Sequence, residues 1–100
     1  MARKLPSVEE DLTPLVSRLQ DLGRVVRNAR AKGQLRIDDA AALSGVSSDF
    51  LSRLENGKPV TTDRLLVALE ALGLQLLVMP KSRARAVARK TASAKDDVDE

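Results

Sequence analysis

The chain contains no cysteine, no histidine and a single aromatic residue, Phe50. Without cysteine it has neither a disulfide framework nor a thiolate metal site. Without histidine it lacks the commonest general base and the commonest transition-metal ligand. The remaining serines and carboxylates assemble into no Ser–His or Cys–His arrangement and no Gly-rich phosphate loop. No catalytic residue, cofactor or metal is therefore expected, and the chain does not read as an enzyme. Scarce aromatics also weigh against modules that stack single-stranded bases on rings. No apolar run approaches the ~18 residues that span a membrane, and the N-terminus has no signal-peptide core, so a soluble, cytoplasmic chain with no membrane partner is expected.

One hundred residues suit a single small domain. The net charge of +3 is unevenly distributed. Residues 1–80 carry 11 Lys/Arg against 10 Asp/Glu. Residues 81–95 then carry six basic residues (Lys81, Arg83, Arg85, Arg89, Lys90 and Lys95) and no acid, and "DDVDE" follows with four acids. Poor in large apolar groups, residues 81–100 read as a disordered tail, basic and then acidic. Its positive charges suit sequence-blind neutralisation of phosphates, docking on a partner, or plain solubility.

Residues 1–12 read as a flexible N-terminal segment, and residues 13–73 as the folded domain. Thr13-Pro14 has the form of an N-cap followed by a first helical residue. From there Leu15, Leu19, Leu22, Val26 and Ala29 recur at helical spacing as far as Gly33. A short second helix fits Ile37–Leu43, stopped by Gly45. A third fits Ser48–Glu55, with Ser47 as its cap and Asn56-Gly57 as its stop. Thr61 or Thr62 opens a fourth, through Leu72, expected to bury Leu65, Leu66, Leu69 and Leu72.

The stretch "IDDAAALSGVSSDFLSRLENGK" concentrates the information. Two short helices joined by a tight turn need a small residue where the backbones approach (Ala41) and a residue tolerant of positive φ in the turn (Gly45). They also need apolar anchors beyond it (Val46, Leu51, Leu54). An unrelated αα-hairpin would use similar residues. The outward face of the third helix separates the two readings. Ser48, Asp49, Ser52 and Arg53 are short or hydrogen-bonding groups suited to base edges in a major groove, unlike the Glu/Lys mixture of a merely solvated helix.

After that, "LGLQLLVMP" places a short apolar run, Leu74–Met79, between Gly73 and Pro80, with the length and punctuation of a strand. A lone strand is unstable in water. It needs a partner from outside the four helices, or else lies as an extended segment on them.

"LGRVVRNARAKGQLRIDDAAALSGVSSDFLSRLENGK" resembles the Xre/Cro-type helix-turn-helix domain over residues 22–72. The continuation "TTDRLLVALEALGLQLLVMP" is most similar to HipB-type antitoxins. The resemblance implies an all-α, four-helix lambda-repressor-like domain whose C-terminal strand (Leu74, Gln75, Leu76, Leu77, Val78, Met79, closed by Pro80) pairs with its copy across a homodimer. It implies a DNA-binding transcriptional repressor of its own operon, acting on double-stranded DNA at a palindromic operator, with a HipA-like Ser/Thr kinase toxin as partner. A stand-alone Xre-type regulator and a pure protein-interaction module are the alternatives. Ser47 would cap the recognition helix, and Ser48, Asp49, Ser52 and Arg53 would read bases or adjacent phosphates. Arg53 is suited to guanine, and Asp49 either to cytosine or to the helix dipole. Asn56 and Lys58 match the loop that meets the phosphate backbone, and Arg30 with Glu55 matches a structural salt bridge. At the start of helix two the chain departs from the pattern. Arg36-Ile37 stands in place of a Thr-Gln pair, so Arg36 is expected to take over the phosphate contact as a charge.

Overall fold

The computed structural model describes the backbone of residues 5–98 and side chains as far as Thr91. Met1 to Lys4 of the N-terminal segment, the Lys95 side chain of the basic run and the closing Asp99-Glu100 lie outside the described residues. Within them the fold is all-helical: α1 (Leu19–Lys32), α2 (Ile37–Ser44), α3 (Ser48–Glu55), α4 (Thr62–Ala71) and α5 (Lys81–Val98). The core comprises Leu22 and Val26 of α1, Ala40 and Ala41 of α2, Phe50, Leu51 and Leu54 of α3, and Ala68 and Leu69 of α4. Val26, Ala40, Leu51 and Ala68 are wholly buried. Phe50 is buried too, which assigns the one aromatic ring to packing. The buried Ser44 is accommodated because its hydroxyl donates to the Ala40 carbonyl at 2.7 Å, one turn back on the same helix.

The helix ends follow from local chemistry. In the α2–α3 turn, Gly45 lies in the left-handed region at φ 72°. The Val46 N–H reaches back to the Ala41 carbonyl at 3.1 Å, closing α2 with a six-residue backbone loop. The Ser47 hydroxyl then accepts from the Phe50 N–H at 3.0 Å and opens α3. The end of α1 uses the same loop with a less suitable residue. Gln34, and not Gly33, takes the positive φ (56°), while Leu35 N–H bonds to the Arg30 carbonyl at 3.1 Å. Gly33 remains right-handed at φ −81°.

Three expectations are corrected. The first helix begins at Leu19, not at Pro14. The Asp21 carboxylate accepts from the backbone N–H groups of Ser17 at 3.0 Å and Arg18 at 3.1 Å, satisfying a helix N-terminus five residues later than the Thr13-Pro14 signal. Next, Leu74–Pro80 forms no strand in the single chain and runs from Gly73 to α5 without regular structure. Among the described residues no other strand offers it a ladder. Leu74 alone is drawn onto the core, its N–H bonded to the Leu69 carbonyl at 2.8 Å. Finally, the tail expected to be disordered is helical from Lys81 to Val98, which makes a fifth helix where four were expected. Ala, Lys and Arg are strong helix formers, so a composition too polar to build a core is still competent to form a helix. Pro80 supplies the first carbonyl acceptor, for the Ala84 N–H at 3.0 Å.

The N-terminal segment has a fixed point. The buried Asn28 amide pairs with the backbone of Glu9, accepting from its N–H at 2.7 Å and donating to its carbonyl at 3.0 Å. Glu9 in turn accepts from Arg24 at 2.8 Å.

Candidate nucleic-acid interface

What fixes the third helix is a buried ion pair. Glu55, at the last turn of α3, accepts twice from Arg30 of α1: Nε to Oε2 at 2.6 Å and Nη2 to Oε1 at 2.7 Å. The remaining Arg30 nitrogen, Nη1, donates to the Leu35 carbonyl at 3.0 Å. Both groups are buried and their side-chain hydrogen-bonding capacity is engaged, the condition under which a buried pair is tolerated. Beside them Gly23 of α1 lies against the end of α3. A Cβ there would overlap the Glu55 carbonyl oxygen and come within 2.7 Å of that of Leu54. Close backbone approach and the ion pair together lock α3 onto α1, with the opposite face of α3 turned outward.

That outward face carries most of the expected residues. Asp49 and Arg53 are exposed, and Ser48 and Ser52 half-buried. Ser48 donates to the Asp38 carboxylate at 2.7 Å, tying the first turn of α3 to the first turn of α2. Arg53 folds toward the following loop, Nη2 donating to the Pro59 carbonyl at 3.0 Å, which braces its guanidinium at the edge of the face. Asn56 extends the row, its amide donating to the Ser52 carbonyl at 2.8 Å and lying 3.4 Å from the Ser52 hydroxyl. Lys58 is exposed just beyond. Ser47 is engaged as the helix cap, so its hydroxyl is structural. Arg36 stands exposed at the N-cap of α2 without capping that helix through its side chain.

Two residues of this region escaped the sequence reading. Asp38 is fixed here only because α2 and α3 cross, and no local signal marks it. Arg27 lies one turn before Arg30 on α1. It approaches the Glu55 carboxylate at 3.5 Å and donates to the Asn56 side chain at 3.3 Å. The spacing of three residues from Arg30 was its available signal, since it puts both side chains on neighbouring positions of one helix.

A helix-turn-helix whose second helix presents a polar, cation-edged row on a braced scaffold defines a class of DNA-binding proteins. Comparison with known proteins agrees. Residues 21–78 match the family model described as a helix-turn-helix domain, and the chain belongs to that family, as a DNA-binding regulator of transcription. It is similar to an uncharacterized HTH-type transcriptional regulator, y4mF, of Sinorhizobium fredii (33% identity over 66 residues, 65% of this chain and 87% of the relative). Its fold is similar to that of the clp gene regulator ClgR from C. glutamicum, with a TM-score of 0.53 and 27% identity, over 77% of this chain and 95% of the other.

Proposed function

We infer that this chain is a homodimeric repressor that reads a palindromic operator by laying α3 in the major groove. The observation carrying this reading is the outward row of α3, Ser48, Asp49, Ser52 and Arg53, held clear of the core by the buried Arg30–Glu55 pair. Arg53 is the base-reading group, Ser48, Asp49 and Ser52 adjust fit and exclusion, and Arg36, Asn56 and Lys58 meet phosphates. A shift assay on the DNA upstream of the gene tests it. Arg53→Ala costs about 1–3 kcal/mol on the operator and relaxes preference at one base position, whereas Lys58→Ala weakens all sequences alike. Equal losses on operator and random DNA for both variants remove Arg53 from the reading set.

The second subunit is proposed to join through Leu74–Met79. Leu77 and Val78 are 67% and 89% exposed, an unusual state for apolar side chains, and the backbone of this run lacks ladder partners. Pairing with its own copy would satisfy both. Leu76→Pro removes a ladder donor, and the variant sediments as a monomer. Sedimentation unchanged from wild type sinks the pairing.

The antitoxin role rests on the resemblance of "TTDRLLVALEALGLQLLVMP" to HipB-type proteins, with a HipA-like kinase as the partner and autoregulation as the outcome. Co-purification with the neighbouring gene product separates it from a stand-alone regulator. A module that binds only proteins would show no salt-sensitive DNA binding at all.

A further inference from the structure

A groove of about 700 Å³ opens between the extended segment before α1, α1 itself, the end of α4, the Leu74–Met79 run and the first turns of α5. None of its lining residues belongs to α2 or α3, so it lies outside the reading face. Its walls are largely apolar. Leu15 and Val16 come from the extended segment, Leu22 and Val25 from α1, and Leu76 and Met79 from the run after α4. Val16 and Leu76 are 43% and 47% exposed, so apolar surface is left open to water there. Sites that enclose small ligands hold ~300–1,000 Å³ and have the same make-up, apolar walls with a few polar groups that fix orientation.

The polar groups here are of one sign. Lys81 and Arg85, one turn apart on α5, line the groove, and among the described residues no Asp or Glu does. Both are exposed, and neither has an ion pair among the described residues. They also stand at the N-terminal end of α5, where the helix already presents partial positive charge and the first turn contains no acid. An anion placed there would gain from two cations and a helix end at once. A second copy of this chain does not meet that demand. An isologous contact sets the same patch of both subunits against itself, so Lys81 and Arg85 would be turned toward their own copies.

We propose that the groove binds a small amphipathic anion, an alkyl chain of medium length headed by a carboxylate. The chain lies along the Val16, Val25 and Leu76 walls, and the head is held by Lys81 and Arg85, whose guanidinium fork matches a carboxylate. The inference goes beyond DNA binding and does not rest on the reading of α3. It is also separate from the pairing proposed for Leu74–Met79, which uses the backbone edges of that run and is read by sedimentation.

Calorimetric titration of the full wild-type chain with sodium decanoate, kept below micelle-forming concentrations, tests it. Saturable binding is expected, and octanoate binds more weakly by about fourfold for each buried methylene it lacks. Lys81→Gln and Arg85→Gln each weaken decanoate binding by up to about fivefold, the most that an exposed ion pair supplies, and together by at least about twofold. Decanol, with the same chain and no charge, binds more weakly than decanoate and is indifferent to both substitutions. A thermal midpoint on each variant confirms that the fold is kept. Equal affinity for decanoate and decanol, or for wild type and the double variant, overturns the anionic head. Octanoate that binds as tightly as decanoate overturns the apolar seat. No saturable binding by wild type that sediments as a dimer overturns the site and gives the groove to the second copy. Co-sedimentation with anionic phospholipid vesicles, without binding of monomeric decanoate, also overturns it by assigning the groove and α5 to a membrane surface.

Discussion

Helices α1 and α5 are both rich in arginine and lysine at helical spacing, and they use those charges in opposite ways. On α1 and its cap each arginine faces an acid of the fold, although Arg27 shares a carboxylate that Arg30 already engages. Arg18 lies 3.9 Å from Asp21, Arg24 bonds Glu9 at 2.8 Å, and Arg27 and Arg30 converge on Glu55. On α5, Lys81, Arg83, Arg85, Arg89 and Lys90 form no ion pair among the described residues. Lys81, Arg85 and Arg89 fall at successive i, i+4 positions, where like charges weaken a helix by a few tenths of a kcal/mol per pair, on the order of 0.2–0.5. An anionic partner would reverse that penalty. Positive charge on a helix therefore does not identify an interface. What matters is whether the fold has already supplied the counter-charge.

The comparison is sharpest at Glu55. Glu55→Ala leaves Arg30 charged, buried and unpaired, at a cost of about 3–5 kcal/mol in denaturant unfolding. Arg89→Ala on α5 stays within about 0.5 kcal/mol. Similar costs for the two would break the distinction between committed and uncommitted charge.

Gly23→Ala probes the backbone contact beside that pair. The new methyl meets carbonyl oxygens of α3, not flexible side chains, so the end of α3 must shift. The expected loss is about 1–3 kcal/mol, together with weakened operator binding. Wild-type stability in this variant would show that α1 and α3 are held by charge alone.

The end of α1 supplies a change of opposite sign. Gln34 adopts φ 56° in a position that favours glycine. Gln34→Gly relieves roughly 1 kcal/mol of strain, partly offset by the greater freedom of glycine in the unfolded chain. A net gain in thermal midpoint is expected, and a loss would mean that the Gln34 side chain contributes more than its backbone costs.

The smallest effect concerns pH. Hydrogen bonding from the Ser17 N–H, with that of Arg18 and the nearby Arg18 and Arg24 charges, holds the Asp21 carboxyl below its ordinary value of 3.8. A carboxyl depressed by folding stabilises the native state above its unfolded value, and that contribution is lost as pH falls through the lower folded value. Asp21→Asn therefore flattens the acid limb of the stability profile below pH 3.8 and leaves pH dependence near neutrality unchanged. An unaltered acid limb would remove Asp21 as the cap of α1.

Local chemistry in the sequence was enough to determine the helix-turn-helix itself. The Ser47 cap, the Gly45 turn and the apolar set Ala41, Leu51 and Leu54 depend on neighbours only a few residues away, so α2, α3 and the core they bury follow from spacing. The outward residues of α3 were legible for the same reason, because a helix whose buried face is known has its other face known as well. The Arg30–Glu55 pair could be expected from the resemblance, though its geometry could not. Tertiary structure decided the rest, through contacts between residues distant in sequence. It moved the start of α1 to the cap that Asp21 provides and buried Asn28 against Glu9. It also left Leu66, expected in the core, 51% exposed, while Ala68 and Leu69 of the same helix are buried. Arg27 and Arg36, nine positions apart on different helices, meet at one recess only because α1, α2 and α3 pack as they do. A period can reveal which side of a helix faces inward, but not which helix it will face.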